Sequence, residues 1–366
     1  MATNAAQARR TRLVEQFTEV AIQIFLWAFR ILVVLVVVVG SLLTLAQGRY
    51  SAETWLDLAI RGAALGSVYA LVALGYTMVY GILRMINFAH GEVFMAGTFA
   101  GYFTAVGLNN AGFLNAGPLS SVISLFVMCA VAGVASTAIA LLVERIAYRP
   151  LRNAPRLVPL ISAIGASFVL QYSFRGLFGS GYYSYPPVTI LEERIPVSFV
   201  SVQWAEVLVI VLAIALMVGL YLFVMRSKVG TAIRAVSEDQ GAAALMGIDV
   251  NRTIVTTFAI GAALAGAAGV LYAQLYPSFN YFVGFIPGIK AFTAAVLGGI
   301  GNIPGAMLGG LFLGEIESVG PVLFLDGLGV PAATQLKDVI AFTMLVLVLV
   351  FRPQGLLGER VTRNRA

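Results

Sequence analysis

Two short polar motifs interrupt long apolar runs, and both carry groups that could act on a ligand. The first is Asn87-Phe88-Ala89-His90-Gly91-Glu92 and the second is Asn302-Ile303-Pro304-Gly305. Asparagine is a good N-cap, and Pro304 suits the first turn of a helix starting after Asn302. Each motif is therefore expected to open a helix whose free N–H groups and positive dipole end favour a carboxylate or carbonyl. A glycine-rich packing kink that touches no ligand is the plainer alternative. His90 and Glu92 are ionisable, and ionisable groups inside apolar runs are costly enough to point to function. Two residues apart on a helix, they face different ways and make no catalytic pair. A neutral His90 hydrogen-bonded between helices is a simpler reading than proton transfer.

Other reactive chemistry is scarce. One cysteine, Cys129, and one histidine cannot build a Cys/His zinc cluster or an internal disulfide. None of the lysines, Lys228, Lys290 and Lys337, lies in a phosphate-binding G-x-x-x-x-G-K-[ST] loop. No G-x-S-x-G or H-E-x-x-H arrangement occurs. The chain is expected to be no enzyme on its own and to hold no metal or cofactor.

The elements that position these motifs follow from composition. Of 366 residues, 60% are hydrophobic and only 11% charged, and mean hydropathy is +0.92. So few charges cannot cover a water-facing surface, so lipid must solvate most of the chain. Runs near 22–46, 58–82, 86–107, 119–143, 157–178, 204–225, 253–276 and 334–351 read as spanning helices. They do not alternate as barrel strands would. The fold class is thus all-α and polytopic, with about eight spans plus a broken or re-entrant segment over 288–314. The 22–46 run, interrupted by Arg30, is too long for a secretory signal and reads as a retained extra span.

Fifteen of the 23 basic residues cluster in the N-terminus (Arg9, Arg10, Arg12), the 144–157 loop (Arg145, Arg149, Arg152, Arg156), the 226–252 loop (Arg226, Lys228, Arg234, Arg252) and the tail (Arg352, Arg360, Arg363, Arg365). Arg49, Arg194 and Lys337 fall in the remaining loops. The basic segments, and with them both termini, are expected on the cytoplasmic side. The pI near 9.5 then reports membrane orientation rather than nucleic-acid binding. Parity requires 288–314 to cross an even number of times. Its length suits a re-entrant hairpin or two half-helices, with the acidic 315–333 loop (Glu315, Glu317, Asp326) outside. Asn87 and Asn302 are both expected near mid-membrane.

Two landmarks occur twice. Gly91 pairs with Gly305, and Arg149-Pro150 with Arg352-Pro353, at similar offsets. Two structural halves would explain them; chance similarity in glycine-rich helices is the other reading. Glycines 97, 101, 301, 305, 309, 310 and 314 are read as close-packing positions.

Residues 226–252 form the longest loop between spans. Ser237 is expected to cap a short helix with Glu238 and Asp239 in its first turn, and Gly247 to end it. The resulting small-residue face suits a groove on a partner. The spacing Gly241-Ala242-Ala243-x-x-x-Gly247 resembles the EAA loop of ABC importer permeases, with Gly241 where glutamate is usual. Joined to Gly75–Ile82, Ile86–Glu92, Glu144–Arg152 and Lys290–Ala306, it makes the chain resemble LivH-type branched-chain amino acid ABC permeases over about residues 55–358. Residues 1–54, with the extra span, and the basic cytoplasmic tail 359–366 lie outside the resemblance.

The resemblance implies a coupling helix that docks on an ATPase, with Arg234, Glu238, Gly241, Ala242, Ala243, Leu245 and Gly247. It implies a translocation path past Asn87, His90, Gly91, Glu92, Asn302, Pro304 and Gly305. It also implies a second permease subunit, two ATPase subunits that bind ATP and Mg, and an extracytoplasmic substrate-binding protein, in a bacterial plasma membrane. Urea or short-chain amides are alternative substrates within the same family. An ion-coupled secondary transporter is the alternative of another class, but it has no use for a docking loop. A purely structural subunit would not need the two polar breaks.

Overall fold

The computed structural model describes residues 2–152, 154–155, 157–197, 200–352 and 354–358, with backbone alone for 2–16, 197 and 200. Arg156, Pro353 and the tail with Arg360, Arg363 and Arg365 lie outside the described residues, as do the side chains of Arg9, Arg10 and Arg12. The helices are α1 (Ala2–Gln47), α2 (Ala52–Leu83), α3 (His90–Asn110), α4 (Pro118–Val143), α5 (Leu157–Phe178), α6 (Thr189–Glu192), α7 (Trp204–Arg226), α8 (Lys228–Glu238), α9 (Gln240–Leu245), α10 (Val250–Leu275), α11 (Phe285–Gly298), α12 (Ile303–Leu325) and α13 (Lys337–Phe351). A π-turn, Glu144–Tyr148, and a 3₁₀ turn, Arg149–Leu151, extend α4. Two antiparallel pairs complete the fold: Tyr183–Ser184 with Ser278–Phe279, and Arg194–Val197 with Val200–Gln203.

Eight helices among the described residues are long and apolar enough to cross a membrane. The chain is a multi-pass membrane protein. Local chemistry sets the helix ends. Ser51 caps α2 through the Thr54 N–H, and Ser227 caps α8 through Gly230. Gln203 and Glu206 form a reciprocal capping box on α7.

In α1, 17 residues separate Arg30 from Gln47, a length of about 25 Å that nearly matches a hydrocarbon core. The Arg30 guanidinium stands 4.5 Å from the Phe351 ring centroid at the end of α13. At the other end Thr44 and Gln47 bond the Val322 and Gly327 carbonyls.

The bundle consists of two inverted halves. α2 runs antiparallel to α12, with Gly66 against Gly310–Leu311 and Ser318 donating to the Leu58 carbonyl. α10 runs antiparallel to α4 in the same way, with Gly133 against Ala263 and Thr137 donating to Ala259. α3 lies beside α10, and α11 beside α2. The unit α2–α3–α4 thus recurs as α10–α11–α12 with opposite direction, an arrangement common in transporters. The halves meet where Gly91 of α3 crosses Gly284 and Gly288 at the start of α11.

This changes several expectations. The repeat matches Gly91 with the start of α11, not with Gly305, because the Asn302 motif opens α12, the counterpart of α4. The 288–314 stretch is a helical hairpin, as expected: α11 and α12 run antiparallel about the 299–302 turn, with Gly298 against Gly305 and Gly309 against Ala294. Its limbs are unequal, a 14-residue helix and a 23-residue full span that extends to Leu325. Helix α12 therefore runs through 315–325, so Glu315 and Glu317 lie on a helix and not in a loop. The even crossing number survives, because the short limb α11 still traverses most of the bundle. Gly301 packs against nothing within 4 Å and serves the turn, at φ +97°; the other predicted packing glycines do meet neighbouring helices.

A glycine seam this close leaves no room for side chains. Gly310→Leu should destabilise the protein by about 1–3 kcal/mol or more through overpacking. Gly165→Leu, at a site with nothing within 4 Å, should be neutral. Thermal unfolding in detergent compares the two.

Candidate functional site

Helix α2 ends at Leu83, where Arg84 takes a left-handed conformation (φ 53°) and its N–H returns to the Tyr80 carbonyl. Six residues then lead to α3. Asn87 is 3% exposed. Its Oδ1 accepts 2.6 Å from the Tyr148 hydroxyl on the π-turn after α4, and its carbonyl accepts from the His90 N–H. Ala89, without a side-chain bond, is the N-cap of α3. The expected Asn87 cap is therefore corrected: its side chain staples the break to α4, because Tyr148 offers a stronger, fully buried partner.

His90 and Glu92 are both buried and diverge as helical spacing requires. The His90 ring meets Tyr76 edge-on at 4.8 Å between centroids and fills the space left by Gly75, while its Nε2 has no hydrogen-bond partner. The ring thus packs between α3 and α2. Glu92 faces α5 instead, where its Oε1 accepts from Ser167 Oγ and Gln171 Nε2, both at 3.3 Å.

At the second break Asn302 is the N-cap of α12, with Oδ1 accepting from the Gly305 N–H at 3.0 Å. Its Nδ2 donates to the Leu357 carbonyl at 2.8 Å. The segment after α13 pairs with the end of α11: Leu356 N–H donates to Leu297 and Leu357 N–H to Gly298. Gly299, at φ +106°, makes the turn beneath it. Pro304 is exposed and Gly305 abuts Gly298.

Both breaks lie away from the middle of α2. The α2–α12 register places Asn302 opposite residues 74–78, about seven to ten residues or roughly 10–16 Å from that middle. Gly75, which His90 covers, is about 11 Å from it on the same side. Both motifs lie toward the end of the bundle that holds the basic loops, and they converge there. Ile86 and Ile300 line one narrow gap together with Tyr76, Tyr80, Phe292 and Ala295.

A charge cluster built around the buried Lys290–Glu317 pair was not foreseen. Lys290 Nζ of α11 is 2.7 Å from Glu317 Oε1 of α12 and 2.6 Å from Asp338 Oδ1 of α13. Tyr69 of α2 donates to Glu317 Oε2 at 3.0 Å, and Lys337 Nζ lies 3.8 Å from Glu317. The four charges cancel. The one available signal was the isolated charge of Lys290 and Glu317 in apolar runs; their sequence separation hid the pairing.

The 226–252 segment folds as two helices. Asp239, not Ser237, caps the second, by accepting from the Ala242 N–H at 2.9 Å. Ser237 Oγ bonds back to Arg234 within α8. Gly247, at φ +83°, ends α9 as expected. Ala243 is buried against the bundle, whereas Leu245 and Met246 are 90% and 83% exposed. Gln240 donates to the Ile82 carbonyl at 2.7 Å, and Arg84 to the Ser237 carbonyl at 2.8 Å. Arg234, Glu238, Gly241, Ala242 and Gly247 are exposed.

The family model described as branched-chain amino acid transport system / permease component matches residues 58–349. The chain belongs to this permease family. The permease is 45% identical over 308 residues to the high-affinity branched-chain amino acid transport permease BraD of Pseudomonas aeruginosa, covering 83% of this chain and 96% of that one. It is 44% identical to LivH of Escherichia coli K12, over 81% of this chain and 94% of that one. A probable LivH of Methanocaldococcus jannaschii is 28% identical, over 82% and 91%. No solved structure matches. In the permease, the matched region takes in both breaks, the charge cluster and α8–α9.

Removing one partner of a buried ion pair strands the other charge. Lys290→Met should therefore cost about 3–5 kcal/mol. Lys290→Met combined with Glu317→Gln and Asp338→Asn should recover most of that loss. Unfolding curves of the two variants in detergent measure the difference.

Proposed function

We infer that this chain is the transmembrane subunit of an ABC importer that moves branched-chain and other hydrophobic amino acids into the cell. The names of its relatives supply the substrate class. The observation that carries the mechanism is the linkage between α9 and the first break. Gln240 and Arg84 tie the α8–α9 elbow to the last turn of α2, and the next six residues carry Asn87 and lead to His90. A force on α9 is thereby passed to the break that helps line the path.

The exposed pair Leu245 and Met246 is the docking tip for an ATPase subunit. Two such subunits bind ATP and Mg, a second permease subunit covers the sparsely buried helices α5 and α13, and an extracytoplasmic binding protein delivers substrate. The path passes the gap between Ile86 and Ile300, with Asn87 and Asn302 positioning its walls rather than gripping substrate. Tight capture belongs to the binding protein, since a deep well in the path would slow release. The basic end of the bundle faces the cytoplasm, which places both breaks in the inner half of a bacterial plasma membrane.

Two measurements test this reading. Leu245→Asp or Met246→Asp should leave the complex in the membrane at normal level, because both side chains are solvent-facing, yet cut ATP-driven uptake at least about tenfold by placing an unpaired charge in an apolar contact. Uptake unchanged in both would remove the docking role. For orientation, Asp326→Cys in a Cys129→Ser background should react with a membrane-impermeant maleimide from the extracytoplasmic side. Reaction from the cytoplasm alone would invert the topology.

A further inference from the structure

The two inverted halves bury opposite charges at related places. Lys290 lies within the first two turns of α11 and joins it to α13. Glu92 lies within the first turn of α3 and joins it to α5, the counterpart of α13. The Lys290 charge is answered by Glu317 and Asp338. The Glu92 charge is not answered. Its residue is 1% exposed, and among the described residues no cation pairs with it. Ser167 and Gln171, both neutral, hold Oε1, while Oε2 has no hydrogen-bond partner. His90 cannot serve, because it faces α2 on the other side of the helix.

A buried carboxylate needs a cation or a proton. Clamping one oxygen with two donors while leaving the other free orients the group, as a receptor for something that arrives. We propose that Glu92 Oε2 reads the α-ammonium group of the amino acid in transit. This deepens the function proposed above and rests on its amino-acid substrate. The ammonium group answers the Glu92 carboxylate only while the amino acid is present; in the empty state a proton neutralises it. The contact is transient by construction: a single hydrogen bond on one oxygen holds weakly enough for release. The apolar side chain of the substrate has no part in it, which fits a carrier of several hydrophobic amino acids.

The decisive variant is Glu92→Gln, which keeps the shape and the Oε1 position and imitates a protonated carboxyl. In proteoliposomes holding the complete transporter, leucine uptake should fall about tenfold to a hundredfold, as expected for loss of one charge-assisted hydrogen bond. ATP hydrolysis stimulated by the loaded binding protein should persist, which a folding defect would not allow. Unchanged leucine uptake in Glu92→Gln would overturn the proposal and leave Glu92 as a neutral interhelical link. Absence of leucine uptake by the unsubstituted transporter would instead overturn the amino-acid reading beneath it. A second measurement stands if Glu92→Gln fails to assemble. Ser167→Cys, in a Cys129→Ser background, places a thiol beside the carboxylate. Leucine and 3-methylbutylamine, which keep the ammonium group, should protect it from a maleimide, and 4-methylpentanoate, which lacks it, should not. Equal protection by all three, or protection by none, would count against the assignment.

Discussion

The contact on which the rest depends is the crossing of Gly91 with Gly284 and Gly288. A side chain at any of the three would strike backbone of the opposite helix. Glycine there lets the first turns of α3 and α11 approach to backbone contact at the point where the inverted halves join. In lipid there is no hydrophobic drive between helices, so close packing and internal hydrogen bonds must hold them. The α2–α12 and α4–α10 seams use the same device, and together they set the angle at which the short helices enter.

Bringing two helix starts together inside an apolar bundle creates a polar problem, and the two halves solve it differently. Around α11 the solution is charge pairing across three helices, with Tyr69 completing the shell of Glu317. Around α3 it is neutral donors: Tyr148 for Asn87, Ser167 and Gln171 for Glu92. Backbone groups freed at the second break are taken by the segment after α13, which lies along the end of α11 as a short strap. The breaks also lie where the α8–α9 elbow can reach them, so one short stretch of chain connects the exposed Leu245 and Met246 to the first break.

Much of this was legible from residue types alone. The spans follow from hydropathy, because length and apolarity are local properties. Asn302 capping α12 and Gly247 ending α9 follow from local backbone chemistry, since each cap bonds within three residues of itself. Asn87 misled for the same reason: it has the chemistry of a cap, but its partner, Tyr148, is 61 positions away. Ala243 misled because a small-residue face suits a partner's groove and the parent bundle equally well. The Lys290 cluster joins residues from α2, α11, α12 and α13, and no spacing rule connects them.

By itself, then, the sequence determined the solvent of this protein, the approximate limits of most of its long helices, its basic-end asymmetry and its resemblance to a permease family. Each of these is set by residues close together along the chain. Tertiary structure alone decided which helices are counterparts, where along the bundle the two breaks lie, which face of α9 is free, and which buried charges find partners. Those depend on helix register and on closeness of approach. In a glycine-seamed bundle both are set by contacts between residues far apart in the chain, such as Gly66 with Gly310, that no local pattern records.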